Sequence, residues 1–131
     1  HVMLIDFEVG HYGDPAFDLG FFLTHLILKA VWSGHRCCEY LELSTVFWSA
    51  YRSLLAQKVA EAECASLERR MVVNIAGCML ARVDGKSPVD YLTGEQREAV
   101  RHLAGQWLRE SPLDLAAALD TLRTSIRSTE Y

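Results

Sequence analysis

From Ala16 to about Trp32 the chain is apolar on almost every side of a helical projection. A helix of that kind buries more than one face, so it belongs in the middle of a core with other helices around it. Its ends are marked in the sequence. Asp14-Pro15 pairs a residue that can accept from free backbone N–H groups with one tolerated in a first turn. Ser33-Gly34 stops the helix. The longest apolar run, Leu19 to Leu28, is broken by Thr24 and His25 and is short for a bilayer span, which favours a soluble core helix over a membrane segment. With 131 residues, half of them hydrophobic, the chain suits one domain with a real core.

Further helices follow from three- and four-residue apolar spacing. One is predicted from about Arg36 to Val59, on Cys37, Tyr40, Leu41, Phe47, Trp48, Tyr51, Leu54 and Leu55. The next runs from about Glu61 to Val83, on Cys64, Leu67, Met71, Ile75, Cys78 and Met79, and is broken by Asp84-Gly85 and Ser87-Pro88. Thr93 and Gln96 form a capping-box signal for a helix through Arg109, packed by Val100, Leu103 and Trp107. After Ser111-Pro112 the stripe Leu115, Leu119, Leu122, Ile126 predicts a last helix. Val2-Met3-Leu4-Ile5 alone reads as a strand. A strand needs a partner for its backbone groups, and no later segment alternates with period two, so the partner is expected upstream of His1. The fold class expected is mainly α, with one short N-terminal strand and about five helices.

Thirteen basic and seventeen acidic residues leave a net charge of -4. That argues against nucleic acid or an anionic membrane as the main partner, since both need clustered Lys and Arg. Cys37, Cys38, Cys64 and Cys78 lack the C-x-x-C spacing of a zinc site. Buried free thiols in a reducing cytoplasm are the expectation.

Chemistry concentrates in Ile5-Asp6-Phe7-Glu8, Gly13-Asp14-Pro15 and Asp18-Leu19. Acids at the end of a buried strand, followed by a loop with Gly10 and Gly13, suit a hard divalent cation such as magnesium. From the residues alone, Asp6 reads as a metal ligand or a turn residue, and Glu8 as a second ligand, a loop brace or a solvated acid. Asp14 reads first as a helix cap, and Asp18 as a structural acceptor. His11 and Tyr12 lie in the same loop. His25 reads as a satisfied core histidine, and Phe47, Trp48, Tyr51 and Trp107 as core rather than an amine cage. Arg82, Asp84 and Lys86, around Gly85, are either a substrate-side pocket edge or a charged helix end.

Leu4-Ile5-Asp6-Phe7-Glu8 with Gly13-Asp14-Pro15-Ala16-Phe17-Asp18-Leu19 resembles the metal-binding segment of the aminoglycoside phosphotransferase and choline kinase superfamily. The resemblance implies a protein-kinase-like fold, of which this chain would be the C-terminal helical lobe: residues 1–15 a metal-binding strand and loop, residues 16–131 a helical subdomain. It implies that Asp6 matches the Mg2+ ligand and that Asp18 matches the acid bracing the catalytic loop. ATP or GTP would be the donor, and a small-molecule hydroxyl the acceptor. The pattern departs from the family in two respects: no His-x-Asp followed by a suitable Asn occurs, and there is no nucleotide loop with its Lys. The catalytic base is therefore expected upstream, with the N-terminal lobe of the same protein as the main partner and a homodimer as a further option. The alternative is a non-catalytic binding or assembly module derived from such a lobe.

Overall fold

A computed structural model describes residue 3, residues 10–112 and residues 114–129, with side chains through residue 126. The chain is mainly helical. Among the described residues there are five α-helices, α1 (Pro15–Ser33), α2 (Cys37–Leu55), α3 (Glu61–Asp84), α4 (Gly94–Glu110) and α5 (Leu115–Thr129), with a 3-10 turn, Gly34–Arg36, joining α1 to α2. No strand occurs among them. Met3 is exposed, and the rest of the strand expected at residues 2–5 lies outside the described residues.

α1 forms where the sequence places it. Asp14 accepts from the Ala16 N–H at 3.0 Å, Pro15 opens the helix, and Gly34 ends it with φ 50, a left-handed angle that favours glycine. Ala16, Leu19, Leu23, Leu26, Ile27, Leu28 and Ala30 are buried against α2 and α3. At the α1–α3 crossing the backbones come very close. A Cβ added to Gly20 would lie 2.8 Å from Asn74 Cβ and 3.0 Å from the Met71 carbonyl oxygen. One turn on, the buried Thr24 hydroxyl donates to Gly20 O at 2.8 Å, with Ile75 O at 3.3 Å. The polar atom is satisfied inside the interface, so its burial carries little penalty.

α3 shares the centre with α1, presenting Leu67, Met71, Ile75 and Met79 to it and supporting α4 on its other side. The capping box at the start of α4 is present: Thr93 Oγ1 accepts from Gln96 N–H at 3.2 Å, and Gln96 Oε1 accepts from Thr93 N–H at 3.0 Å. Gln96 Nε2 also donates to the carbonyls of Val31 (3.1 Å) and Trp32 (3.3 Å), so one side chain starts α4 and satisfies the end of α1. α5 docks through Leu115, Leu119 and Leu122. Its first N–H groups go to Asp114 Oδ1, which accepts from Ala117 at 2.8 Å, and to the buried Glu68, whose Oε1 accepts from Leu115 at 3.1 Å.

Three expectations need correction. Phe22 is 44% exposed, and α1 is not buried all round: Phe17, Asp18, Phe21, Phe22, Lys29 and Trp32 form a solvent stripe at helical spacing, with His25 half-buried within it. Hydrophobicity on every face allows burial on every face, but the described neighbours cover only part of the circumference. The second helix begins at Cys37 after the 3-10 turn and ends at Leu55, and Leu54 is exposed because the inward row Cys37, Leu41, Ser44, Trp48 continues to Tyr51 and Leu55 and passes it by. Of the four cysteines, all free, Cys37 and Cys64 are buried, Cys78 is half-buried beside Thr24, and Cys38 is exposed. By length and composition alone Pro15–Leu55 could cross a membrane, a property that the core helices of soluble proteins share.

Candidate functional site

The candidate site is the start of α1 and the loop that feeds it. Asp6 and Glu8 lie outside the described residues, so the described part begins at Gly10. His11, Tyr12 and Gly13 are exposed, and His11 Nε2 lies 3.2 Å from the point where a Gly13 Cβ would sit, a close approach that a side chain at position 13 would disturb.

Asp14 is a cap, as its residue type and the following Pro indicate, and it is also half of an ion pair that no local pattern foretells. Arg70 of α3, 56 positions on, donates from Nε to Asp14 Oδ2 at 2.7 Å and from its second terminal nitrogen to Oδ1 at 3.3 Å. The Arg70 hydrogen bond first, and the Ala16 N–H second, hold the Asp14 carboxyl below its usual 3.8. Arg70 is itself held by Ser66 Oγ at 2.8 Å. The fork fixes where the loop enters the helix, and both partners keep about half their surface in water.

Asp18 stands on the first turn of α1, exposed, and its side chain has no hydrogen bond or ion pair to another described residue. Around it on the same stripe, Phe17 stacks on Phe21 (centroids 6.1 Å apart), and Phe21 meets His25 edge-on at 5.0 Å. The Arg82 guanidinium covers the Phe21 ring at 5.2 Å and donates to Ser87 O at 2.9 Å. Burial, then the charges of Arg82 and Lys29, push His25 below its ordinary 6.5. His25 is therefore a half-buried histidine in an aromatic and cationic setting, whose ring has no hydrogen bond to another described residue, and not the satisfied core histidine expected.

The three residues around Gly85 do not converge. Arg82 turns towards α1, while Asp84 is gripped by Arg101 of α4 at 2.8–3.0 Å, which lowers its carboxyl pKa. Lys86 is exposed. The Asp84 pairing agrees with the reading of a charged helix end. The four aromatics are packing residues as well: Trp107 is buried with its indole N–H donating to Thr121 Oγ1 at 2.7 Å, Trp48 stacks on Tyr51, and Phe47 meets Phe22 at 4.4 Å. Sequence reasoning missed Arg70, Gln96 as a bridge, and Glu68. Only Gln96 carried a hint, since its amide nitrogen is left over from the capping box.

Among the described residues, no group of three His, Cys, Asp or Glu side chains could hold a metal ion. No protein-family model, curated protein or solved structure matches this chain.

Proposed function

We propose that this chain is the C-terminal helical lobe of an ATP- or GTP-dependent phosphotransferase that acts on a hydroxyl of a small molecule. The observation that carries the reading is the spaced pattern from Leu4 to Leu19, whose second half is the cap and first turn of a core helix. Within it Asp14 is tied down by Arg70, Leu19 enters the core, and Asp18 stays open on the exposed side. An open Asp18 suits an acceptor for the N–H groups of a catalytic loop packed on that end, and the same loop would cover Phe17 and Phe21. Asp6, with Glu8 beside it, is the proposed Mg2+ ligand. When bound, the metal would neutralise charge on the transferring phosphate. The base, the second metal ligand and the nucleotide loop would come from an N-terminal lobe of the same protein. Of the three residues suggested for the acceptor side, Arg82 is the one that lies against α1. The four free thiols fit a reducing cytoplasm.

The non-catalytic alternative also has one observation in its favour, the uncovered aromatic stripe of α1, which a partner protein could occupy instead. Turnover separates the two. Residues 1–131 alone are expected to show no nucleotide-dependent phosphoryl transfer, and a protein carrying this chain with its upstream lobe is expected to show it and to lose it with Asp6→Asn. Transfer by the chain alone that vanishes with Asp6→Ala would defeat the lobe assignment, and undiminished turnover in Asp6→Asn would defeat the phosphotransferase reading.

A further inference from the structure

A cleft of about 330 Å³ lies at the opposite end of α1 from Asp14, between the end of α1, the first half of α4 and the last turns of α5. The separation is about the length of α1, whose 19 residues at about 1.5 Å each span roughly 28 Å. The cleft is thus no part of the candidate site at the start of α1. α4 and α5 run antiparallel and are joined where Trp107 donates to Thr121. Farther along, Val100 and Leu103 on one side face Leu122 and Ile126 on the other, and Val31 closes the end.

The rim decides what could enter. Thr93 and Gln96 line it but are engaged with each other, and Gln96 also binds the carbonyls of Val31 and Trp32. Ser125 has a partner too. The capping box takes the N–H groups of Thr93 and Gln96 at the start of α4, so those two are not open to an anion. Among the described residues Glu95 is the one charged residue of the lining, and no ion pair to another described residue engages it. An apolar cleft with a single unpaired carboxylate at its mouth complements a cation with a hydrophobic body and repels the corresponding acid. The volume is at the small end of ligand pockets, which run from about 300 to 1,000 Å³. A protein partner would need a contact surface of about 800 Å² on each side, which a short cleft does not offer.

We propose that the α4–α5 cleft is a binding site for a small apolar amine, with its hydrophobic body against Val31, Ala99 and Ile126 and its ammonium group at Glu95. The site is independent of the phosphotransferase reading and stands or falls alone. The test is titration of the labelled chain with phenethylamine, 3-phenylpropionate and ethylbenzene, followed through methyl resonances. Phenethylamine is expected to give saturable shifts at Val31, Val100, Leu103, Leu122 and Ile126, several-fold tighter than 3-phenylpropionate. Glu95→Gln should remove the preference for the amine while the neutral probe still binds, and Ala99→Trp should block all three. Absence of saturable shifts at these methyls, an equal response to amine and acid, or a preference that survives Glu95→Gln would each overturn the proposal.

Discussion

Asp14 serves two neighbours with one carboxylate, the Ala16 N–H of its own helix and the Arg70 fork of another. Losing a capping side chain costs about 0.5–2 kcal/mol, and an exposed ion pair about 0.2–1 kcal/mol. Asp14→Ala should therefore destabilise by about 1–2 kcal/mol in urea melts, with a double-mutant cycle against Arg70→Ala assigning the smaller part to the pair. Strict additivity of the two variants would mean that the pair contributes nothing. The pH dependence has a definite sign. The Asp14 carboxyl is lowered in the fold, so its contribution is complete above pH ~4 and disappears as the pH falls through the depressed value. Melts of the wild type and Asp14→Asn should lie furthest apart at pH 7 and draw together as the pH falls below 3.8. His25 acts in a higher window. Its folded pKa lies below 6.5, so the unfolded chain takes up the proton first and stability falls as the pH drops below about 6.5. His25→Gln should flatten the melting temperature between pH ~7 and ~5, and an unchanged slope would assign that dependence to other groups.

At the scale of elements, the α1–α3 crossing depends on what Gly20 lacks. A methyl there would run into Asn74 and the α3 backbone, so Gly20→Ala should cost about 1–3 kcal/mol by overpacking. Gly77 lies in the middle of α3, where an added Cβ would meet nothing within 4 Å, and Gly77→Ala should gain about 0.5–1 kcal/mol from helix propensity alone. Opposite signs for the same substitution would locate the contact, and matching signs would refute it. The start of α4 offers a second comparison. Thr93→Ala removes one cap and should cost about 1 kcal/mol. Gln96→Ala should cost more, because it also takes the donor away from the Val31 and Trp32 carbonyls and so frays the end of α1. Amide exchange at the last turn of α1 would report that difference directly.

For the molecule as a whole, α1 and α3 form the centre, and α2, α4 and α5 are laid against them. α5 is held at its start by the buried Glu68 as well as by its apolar stripe. Glu68→Ala leaves the Leu115 N–H without its acceptor, at a cost of about 1–3 kcal/mol. Hydrogen exchange should quicken in α5 while the amides of the α1–α3 crossing keep their protection. Uniform loss across all helices would show instead that α5 folds and unfolds together with the centre.

Helix positions, caps and most inward stripes were legible in the sequence because they depend on residues within a turn or two of one another. The Asp14-Pro15 start, the Thr93/Gln96 box and the Leu115–Ile126 stripe are of that kind. What the sequence could not determine was which of several apolar faces would find a neighbour. Phe22 and Leu54 have the chemistry of core residues and stay exposed in large part, since burial depends on where other helices fall and not on the residue itself. The same holds for the polar partners. Arg70 meets Asp14, Arg101 meets Asp84 and Glu68 meets Leu115 across 56, 17 and 47 positions. Contacts that distant are set by the packing of helices against one another, a property of the tertiary fold that no local pattern encodes.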